Sequence, residues 1–430
     1  MNKDFVSFSI TGFARLKKQV LIWADQFNIC CVLDTNSYQF EHSSYECLAG
    51  IGALQFIESS SGHALQKLKE FHQQNKGWLF GHLGFDLKNE VEQLTSLNAD
   101  YINFPDLFFF VPQFILLINE KELTICSNTS LSAEQIFAEI TSIVLTDQES
   151  FDKKNIHFQE RFSKEEYINT IERLRQHIHR GDCYEINFCQ EFFAANAKIE
   201  PLTVYQSLSM ASPTPFAAYY KTNDKYLLCA SPERYMKKEG DTIISQPIKG
   251  TAKRDLTNSD ADIKNKTALY NSSKNRSENI MVVDLVRNDL SKICIEGTVH
   301  VEELFGIYSF PQVHQMISTV SGQLKVNLEF IEIIKSTFPM GSMTGAPKKK
   351  VMQLIEENER TKRGIFSGAV GYINANGNFD FNVVIRSILY NSTHQYVSYL
   401  VGSGITFYSN AAEEYEECML KAAAIKKVLR

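Results

Sequence analysis

The sequence lacks any Cys-x-x-Cys spacing. Its nine cysteines are scattered, apart from the adjacent Cys30 and Cys31, so neither a zinc site nor a regular disulfide framework is indicated, and they read as reduced thiols. It also lacks a cationic excess. A net charge of -6 and a pI near 6.0 exclude binding to a phosphate backbone as the main task, which leaves no nucleic-acid partner. Long hydrophobic runs are missing too. The greasiest stretch, "LFFFVPQFILLI", is far shorter than a membrane span and carries Pro112 and Gln113, and the start, "MNKDFVSFSITGF", has no uninterrupted apolar core of the signal-peptide kind. A protein with no membrane segment, localised to the cytoplasm, is expected by elimination. No period of roughly 20 to 50 residues recurs, which excludes solenoids and propellers.

What is present is an ordinary globular balance, 44% hydrophobic and 22% charged, in a chain of 430 residues. That length accommodates two or three domains of about 150 residues or one large two-lobed unit. From Phe27 to Ile118, β-rich segments ("FNICCVLDT", "GWLFGHLGF", "FILLI") alternate with amphipathic stretches such as "HALQKLKEFHQQ", predicting an antiparallel α+β lobe. The polar "LTDQESFDKKNIHFQE" is the best linker, placing a boundary near Asn155 between a lobe of residues 1–154 and a catalytic domain of residues 155–430. Immediately after it, Ser163 and Glu166 have capping-box spacing, Tyr167, Ile171, Leu174 and Ile178 share a helical face, and Gly181 ends the helix. Three further long helices are expected around Asn271 to Leu290, Lys348 to Glu359 and Ala411 to Arg430.

Several stretches can carry chemistry. In "QPIKGTAKR", Lys249 stands between a rigid Pro-Ile pair and a Gly-Thr step, stiffer flanks than a surface lysine needs. In "AAEEYEECMLKAA", Glu414 and Glu417 share a helical face with Lys421 one turn beyond. They form either a solvated first turn favourable to the helix dipole or, beside the glycine-bracketed "VGSGITFYSN", oxygen ligands for Mg2+. Glu278 in "SENIMVVDLVRNDL" either pairs with Lys274 or joins them, with Ile280, Val283 and Leu285 expected in the core. The turn "FPMGSMTGAPKKK" lacks the Gly-Lys-Ser/Thr ending of a nucleotide loop. It is a plain turn and cap or a set of backbone donors for an anion such as a carboxylate. Glu233 and Arg234 follow Pro232 in "ASPERY", where a strand-end surface salt bridge is the simple account. Arg386, in the apolar "FNVVIRSILY", needs a partner or an anionic ligand.

Taken in order, "GDCYEINFCQ", "ASPERY", "QPIKGTAKR", "SENIMVVDLVRNDL", "FPMGSMTGAPK", "SGAVGYI", "FNVVIRS" and "GSGITFYSNAAEEYEECMLKAA" resemble the chorismate-utilising enzymes from about Phe162 to the C-terminus. "CCVLDTNS" and "GWLFGHLGFDL" are a weaker likeness to that family's N-terminal lobe. The resemblance implies an α+β, two-lobed fold like that of anthranilate synthase component I, with antiparallel sheets packed as a sandwich and helices outside. Pro-Ile-Lys-Gly-Thr points to the branch that makes 4-amino-4-deoxychorismate for the folate pathway, since anthranilate and isochorismate synthases typically have alanine where Lys249 stands. Anthranilate synthase component I is the alternative, and a silent ligand-binding descendant a further one.

By the same resemblance, Lys249 is the nucleophile that adds to C2 of chorismate as the C4 hydroxyl leaves. Glu233 is its general base and acid, and Glu278, Glu414 and Glu417 hold Mg2+. Arg386 and Tyr372 hold the substrate's side-chain carboxylate, and Ser342, Gly402, Gly404 and Lys421 face the substrate. The lysine must act as a neutral amine, through a lowered pKa or a base that takes its proton. The sequence departs from the family at three places. His314 and Gln315 stand where many relatives have a histidine at the second position, Met340 replaces a glycine, and Glu185 occupies a position that is lysine in water-adding members and usually glutamine in amine-adding ones. No Gly-x-Cys-x-Gly elbow is present, so ammonia is expected from a separate glutamine amidotransferase subunit.

Overall fold

The computed structural model describes residues 4–38, 42, 45–145 and 156–429. The boundary near Asn155 lies outside them. Among the described residues, twenty strands form one continuous, wholly antiparallel hydrogen-bonded network, and eleven α-helices lie against it. The network folds over at two long neighbours, Cys47–Ser59 and Leu107–Ile118, which pair along most of their length with one register break between Ala53 and Gln55. From the first of these, a sheet runs through Ile29–Asp34, Phe216–Thr222, Lys225–Ser231, Ser387–Asn391 and Tyr396–Thr406 to Glu185–Ala194. From the second, another runs through Leu79–Leu83, Ala369–Ile373, Phe379–Asn382, Arg234–Glu239 and Thr242–Gln246 to Val313–Gln323.

The two sheets face one another, as the buried bond between His82 Nδ1 and the Tyr220 hydroxyl (2.9 Å) records. Along the first sheet, neighbours in sequence enter opposite cores. Cys30, Tyr219 and Leu228 join the helices Phe13–Asp25, Lys164–His179, Pro201–Ala211 and Ala411–Lys426 on the outside. Cys31, Tyr220 and Leu227 point between the sheets. Burial on both faces explains why these strands read as unbroken apolar runs rather than as alternation. The outer face of the second sheet is covered by Ala64–Gln74, Ser273–Ile293 and Phe330–Thr337, with Phe330 set against Phe379 and Phe381 at 5.0 and 5.6 Å. The expected sandwich with helices outside is therefore the observed one. Its strands cross the chain freely: Ile29–Asp34 needs Phe216–Thr222 as a neighbour, and Leu79–Leu83 needs Ala369–Ile373.

Local signals hold where they rest on caps. Ser163 and Glu166 form a reciprocal capping box at the start of Lys164–His179, Tyr167, Ile171, Leu174 and Ile178 are buried, and Gly181 follows with φ 83°. Other expectations need correction. The helix expected around Asn271 to Leu290 is present as Ser273–Ile293, capped by Ser272 through Asn275 N, but a further, unforeseen helix, Ser259–Asn271, precedes it. Ile280 is 43% exposed rather than buried, because the inward stripe runs through Asn279, Val282, Val283, Val286 and Leu290. Arg386 is not inside a strand but on a bend between Phe379–Asn382 and Ser387–Asn391, with φ 50°. Among the described residues no helix is long and apolar enough to cross a membrane.

Candidate active site

Lys249 belongs to the strand Ile248–Lys253, whose register against Val313–Gln323 shifts between Ile248 and Thr251. The irregularity falls on Lys249 and Gly250, and Gly250 takes φ 101°, a conformation that suits glycine. The neighbouring backbone is pinned. Asn279, fully buried in the helix Ser273–Ile293, donates to the carbonyls of Lys249 (3.4 Å) and Met316 (3.5 Å) and accepts from Ser318 Oγ at 2.6 Å. The Pro247 carbonyl accepts from Ser318 N at 3.2 Å. The stiffness visible in Pro-Ile-Lys-Gly-Thr thus serves to aim one side chain.

That side chain ends on Glu185. Lys249 Nζ forms an ion pair with Glu185 Oε1, and the two side chains are only 14% and 4% exposed. Glu185 opens the strand Glu185–Ala194, between Ala346 on one side and Thr406 on the other. A Cβ at Gly404 would collide with Lys249 Nζ and come within 3.1 Å of Glu185 Oε1, so bare backbone there makes room for the pair. Burial pulls the Lys249 pKa down, but the carboxylates of Glu185, Glu278 and Glu414 outweigh it and hold the amine above its ordinary value. Burial alone therefore does not yield a neutral amine.

Glu233 is the second carboxyl. It sits between Lys225–Ser231 and Arg234–Glu239, 4% exposed, and burial raises its pKa to about 7 against the opposing pull of Ser342, the Ile248 backbone, Lys249 and Arg386. A carboxyl poised near neutrality can both take and give a proton. Arg386 has its own pKa lowered to about 10 by burial, with Glu233 pulling the other way. Arg234, beside Glu233 in sequence, turns instead to Asp380, with bonds of 3.0 and 3.1 Å inside the protein, so the surface pair imagined for these neighbours does not form.

The acidic residues of the two distant helices come within electrostatic reach of Lys249. The Glu278 pKa is raised first by burial and then, against Lys249, by Glu185 and Glu414. That of Glu414, 5% exposed and bonded to Ser409 Oγ at 2.8 Å, is raised by burial and by Glu417. Glu417 is about half exposed and pairs with Lys421 at 2.8 Å, which also donates to the Gly402 carbonyl at 3.1 Å. The local pair foreseen for Glu278, with Lys274, exists only at 4.0 Å. Among the described residues no three His, Cys, Asp or Glu side chains stand close enough to cage a metal. Mutually repelling buried carboxylates fit a hydrated Mg2+, which is normally held by one or two carboxylates plus waters and substrate oxygens.

Ser342, 8% exposed in the short turn Gly341–Met343, faces Glu233. Gly402 abuts Asn187, whose Oδ1 would lie 2.5 Å from any added Cβ. Tyr372 is not brought to this cluster. Its ring stacks on Trp78 at 5.5 Å and lies beside Tyr45 at 5.8 Å, lining a separate cavity between the sheets with Arg234 and Asp380. His314 is occupied by Ser309 Oγ (2.8 Å) and Asp262 (3.1 Å). The residue whose place in the site the motif reading missed is Asn279, visible only as a polar residue on an otherwise apolar helical stripe.

The fold is that of chorismate-transforming synthases. It superposes on anthranilate synthase component I from Streptococcus pneumoniae with a TM-score of 0.78 at 24% identity, covering 91% of this chain and 95% of that one. It superposes on the menaquinone-specific isochorismate synthase of Escherichia coli with a TM-score of 0.76 at 17% identity, covering 100% and 95%. Residues 20–427 match the family described as chorismate binding enzyme, and the chain belongs to that family. It is 32% identical over 356 residues to aminodeoxychorismate synthase component 1 of Escherichia coli (82% of this chain, 77% of that protein). It is 30% identical over 354 residues to anthranilate synthase component 1 of Saccharolobus solfataricus (82% and 81%).

Proposed function

We propose that the chain is a chorismate-aminating synthase, component I of aminodeoxychorismate synthase. In this reading it converts chorismate and ammonia to 4-amino-4-deoxychorismate and water, for p-aminobenzoate and folate synthesis. The observation that carries the reading is the buried, backbone-pinned Lys249 amine within electrostatic reach of a buried carboxyl, Glu233, whose pKa is about 7. Several relatives named aminodeoxychorismate synthase component 1, from Escherichia coli, Salmonella typhimurium and Bacillus subtilis, at 29–32% identity, support it.

Glu233 takes the Lys249 proton. The amine lone pair then bonds to C2 of chorismate, the ring double bond shifts, and the C4 hydroxyl leaves as water with the proton that Glu233 returns. Ammonia bonds to C4, the double bond shifts back, the lysine departs as a neutral amine, and the extra proton on the new C4 nitrogen returns to Lys249, which restores the starting state. Arg386 neutralises a substrate carboxylate. Glu278, Glu414 and Glu417 would hold Mg2+, which when bound neutralises the ring carboxylate. Ammonia comes from a glutamine amidotransferase subunit.

The test is mass spectrometry of the products from chorismate, Mg2+ and ammonium. 4-Amino-4-deoxychorismate supports the reading. Anthranilate with pyruvate, made without an added lyase, replaces it with the anthranilate synthase alternative, which the Saccharolobus relative keeps open.

A further inference from the structure

A fixed charge is buried in the connection 359–368, which leads from the helix Lys348–Asn358 into the strand Ala369–Ile373. Arg363 is 3% exposed, and all five of its N–H donors are engaged. Nε and Nη2 meet the two carboxylate oxygens of Glu359 at 3.0 and 2.5 Å. Nη1 donates to the Met343 carbonyl at 2.7 Å and to Ser367 Oγ at 3.3 Å, and Nη2 also donates to the Asn187 carbonyl at 2.6 Å. Glu359 Oε1 accepts in addition from Cys189 N at 2.8 Å, and the Phe85 ring lies against the guanidinium at 4.6 Å. A desolvated ion pair adds little stability over apolar residues of the same volume, so stability alone does not account for this one. What the fork does is join two elements of the site. One is the strand Glu185–Ala194, held at Asn187 and, through Glu359, at Cys189; the other is the turn Gly341–Met343, held at Met343. Asn187 repeats the link, its Nδ2 donating to the Ser342 carbonyl at 2.9 Å.

We propose that Arg363 is a positioning residue of the active site, which sets the place of the Ser342 hydroxyl against Glu233 through the backbones of Asn187 and Met343. The proposal rests on the role given above to Glu233 and adds the residue that holds its neighbour in place. Ser342 Oγ is buried without a hydrogen bond of full geometry among the described residues, yet it stands close enough to Glu233 to oppose the rise that burial imposes on that carboxyl. So marginal a contact is sensitive to any displacement of the turn. The other groups that bear on Glu233 are the Ile248 backbone, Lys249 and Arg386, and none of Arg363's five bonds goes to them. A lysine at this position keeps the charge but carries its donors on one nitrogen, which cannot span Glu359 and the two carbonyls as the planar fork does. A change in Glu233 on Arg363→Lys therefore reports the turn and not the loss of a charge.

The test follows chorismate consumption by the full chain with Mg2+ from about pH 5.5 to about pH 9, with total ammonium adjusted to keep free ammonia constant. Chorismate loss is read rather than product, so the choice between amination and anthranilate formation does not enter. Arg363→Lys is expected to lower kcat/KM for chorismate about tenfold at about pH 7 and to move the lower limb of the pH profile upward by about half a unit, because Glu233 without Ser342 holds its proton to higher pH. Ser342→Ala should move the limb in the same way. Adding Arg363→Lys to Ser342→Ala should then cost less than about twofold more, since both changes remove one interaction. An unmoved limb, or losses that multiply in the double variant, overturns the proposal and leaves Arg363 a structural ion pair only. If Arg363→Lys does not fold, Asn187→Ala decides in its place: it cuts the 2.9 Å bond to Ser342 while the Asn187 backbone carbonyl still receives Arg363. The same upward move of the limb supports the proposal, and an unmoved limb overturns it. A wild-type chain that consumes no chorismate sinks the function proposed above, and this role with it.

Discussion

At Lys249 two opposing influences meet, and the outcome decides how the residue can react. Desolvation favours the neutral amine, but the surrounding carboxylates win and keep it protonated in the ligand-free chain. Lys249→Ala should lower the amination rate about a hundredfold or more, read as product formed in excess ammonium, since both the nucleophile and its charge are lost. Glu233 gives a pH-linked prediction. Its folded pKa of about 7 lies above the ordinary carboxyl value of 4.5, so between those values the folded chain keeps a proton that the unfolded chain releases, and stability falls as pH rises. Glu233→Gln removes that cost. The variant should be more stable than the wild type by about 3 kcal/mol at pH 8, with the advantage vanishing near pH 4, measured by urea unfolding at both pH values. Glu417→Gln should raise the Mg2+ concentration needed for half-maximal activity several-fold, and an unchanged titration removes Glu417 from the ligand set. Lys249 was legible in sequence because its stiff flanks are local. Tyr372 was not, because an aromatic in a strand carries no mark of which cavity it lines.

Elements fix the site through close backbone approach. In the strand Tyr396–Thr406, Gly404 lies opposite Asn187, and its missing Cβ is the space that Lys249 Nζ occupies. Gly404→Ala should displace the amine by about an ångström and lower kcat about a hundredfold, with the thermal midpoint nearly unchanged, since the backbone of an extended strand tolerates alanine. A variant with wild-type kcat would show that the lysine moves freely. The helix start at Ser163 was readable from its capping box. The helix Ser259–Asn271 was not, because of all its residues only Leu269 is buried and periodicity has nothing to register. The bulge at Lys249–Gly250 is likewise a property of pairing with Val313–Gln323, a partner that no local window contains.

Over the whole molecule the two sheets are one hydrogen-bonded network, so a split of the polypeptide between residues 145 and 156 cuts pairings rather than separating finished cores. Residues 4–145 made alone should lack a cooperative thermal transition, because Ile29–Asp34 and Leu79–Leu83 each keep one exposed edge. Mixing with the complementary fragment during refolding should restore the transition, and a sharp melt of the first fragment alone would contradict this. The sandwich was legible from the resemblance and from strand-like runs, whereas the order of strands was not, since pairing across such sequence distances leaves no local trace. The same topology bears on biosynthesis. At about 5–20 residues per second, Leu79–Leu83 leaves the ribosome roughly fifteen seconds to a minute before Ala369–Ile373 exists to cover its edge. During that interval the nascent polypeptide exposes an adhesive β-edge, and its yield in the cell depends on the chaperones that shield such edges.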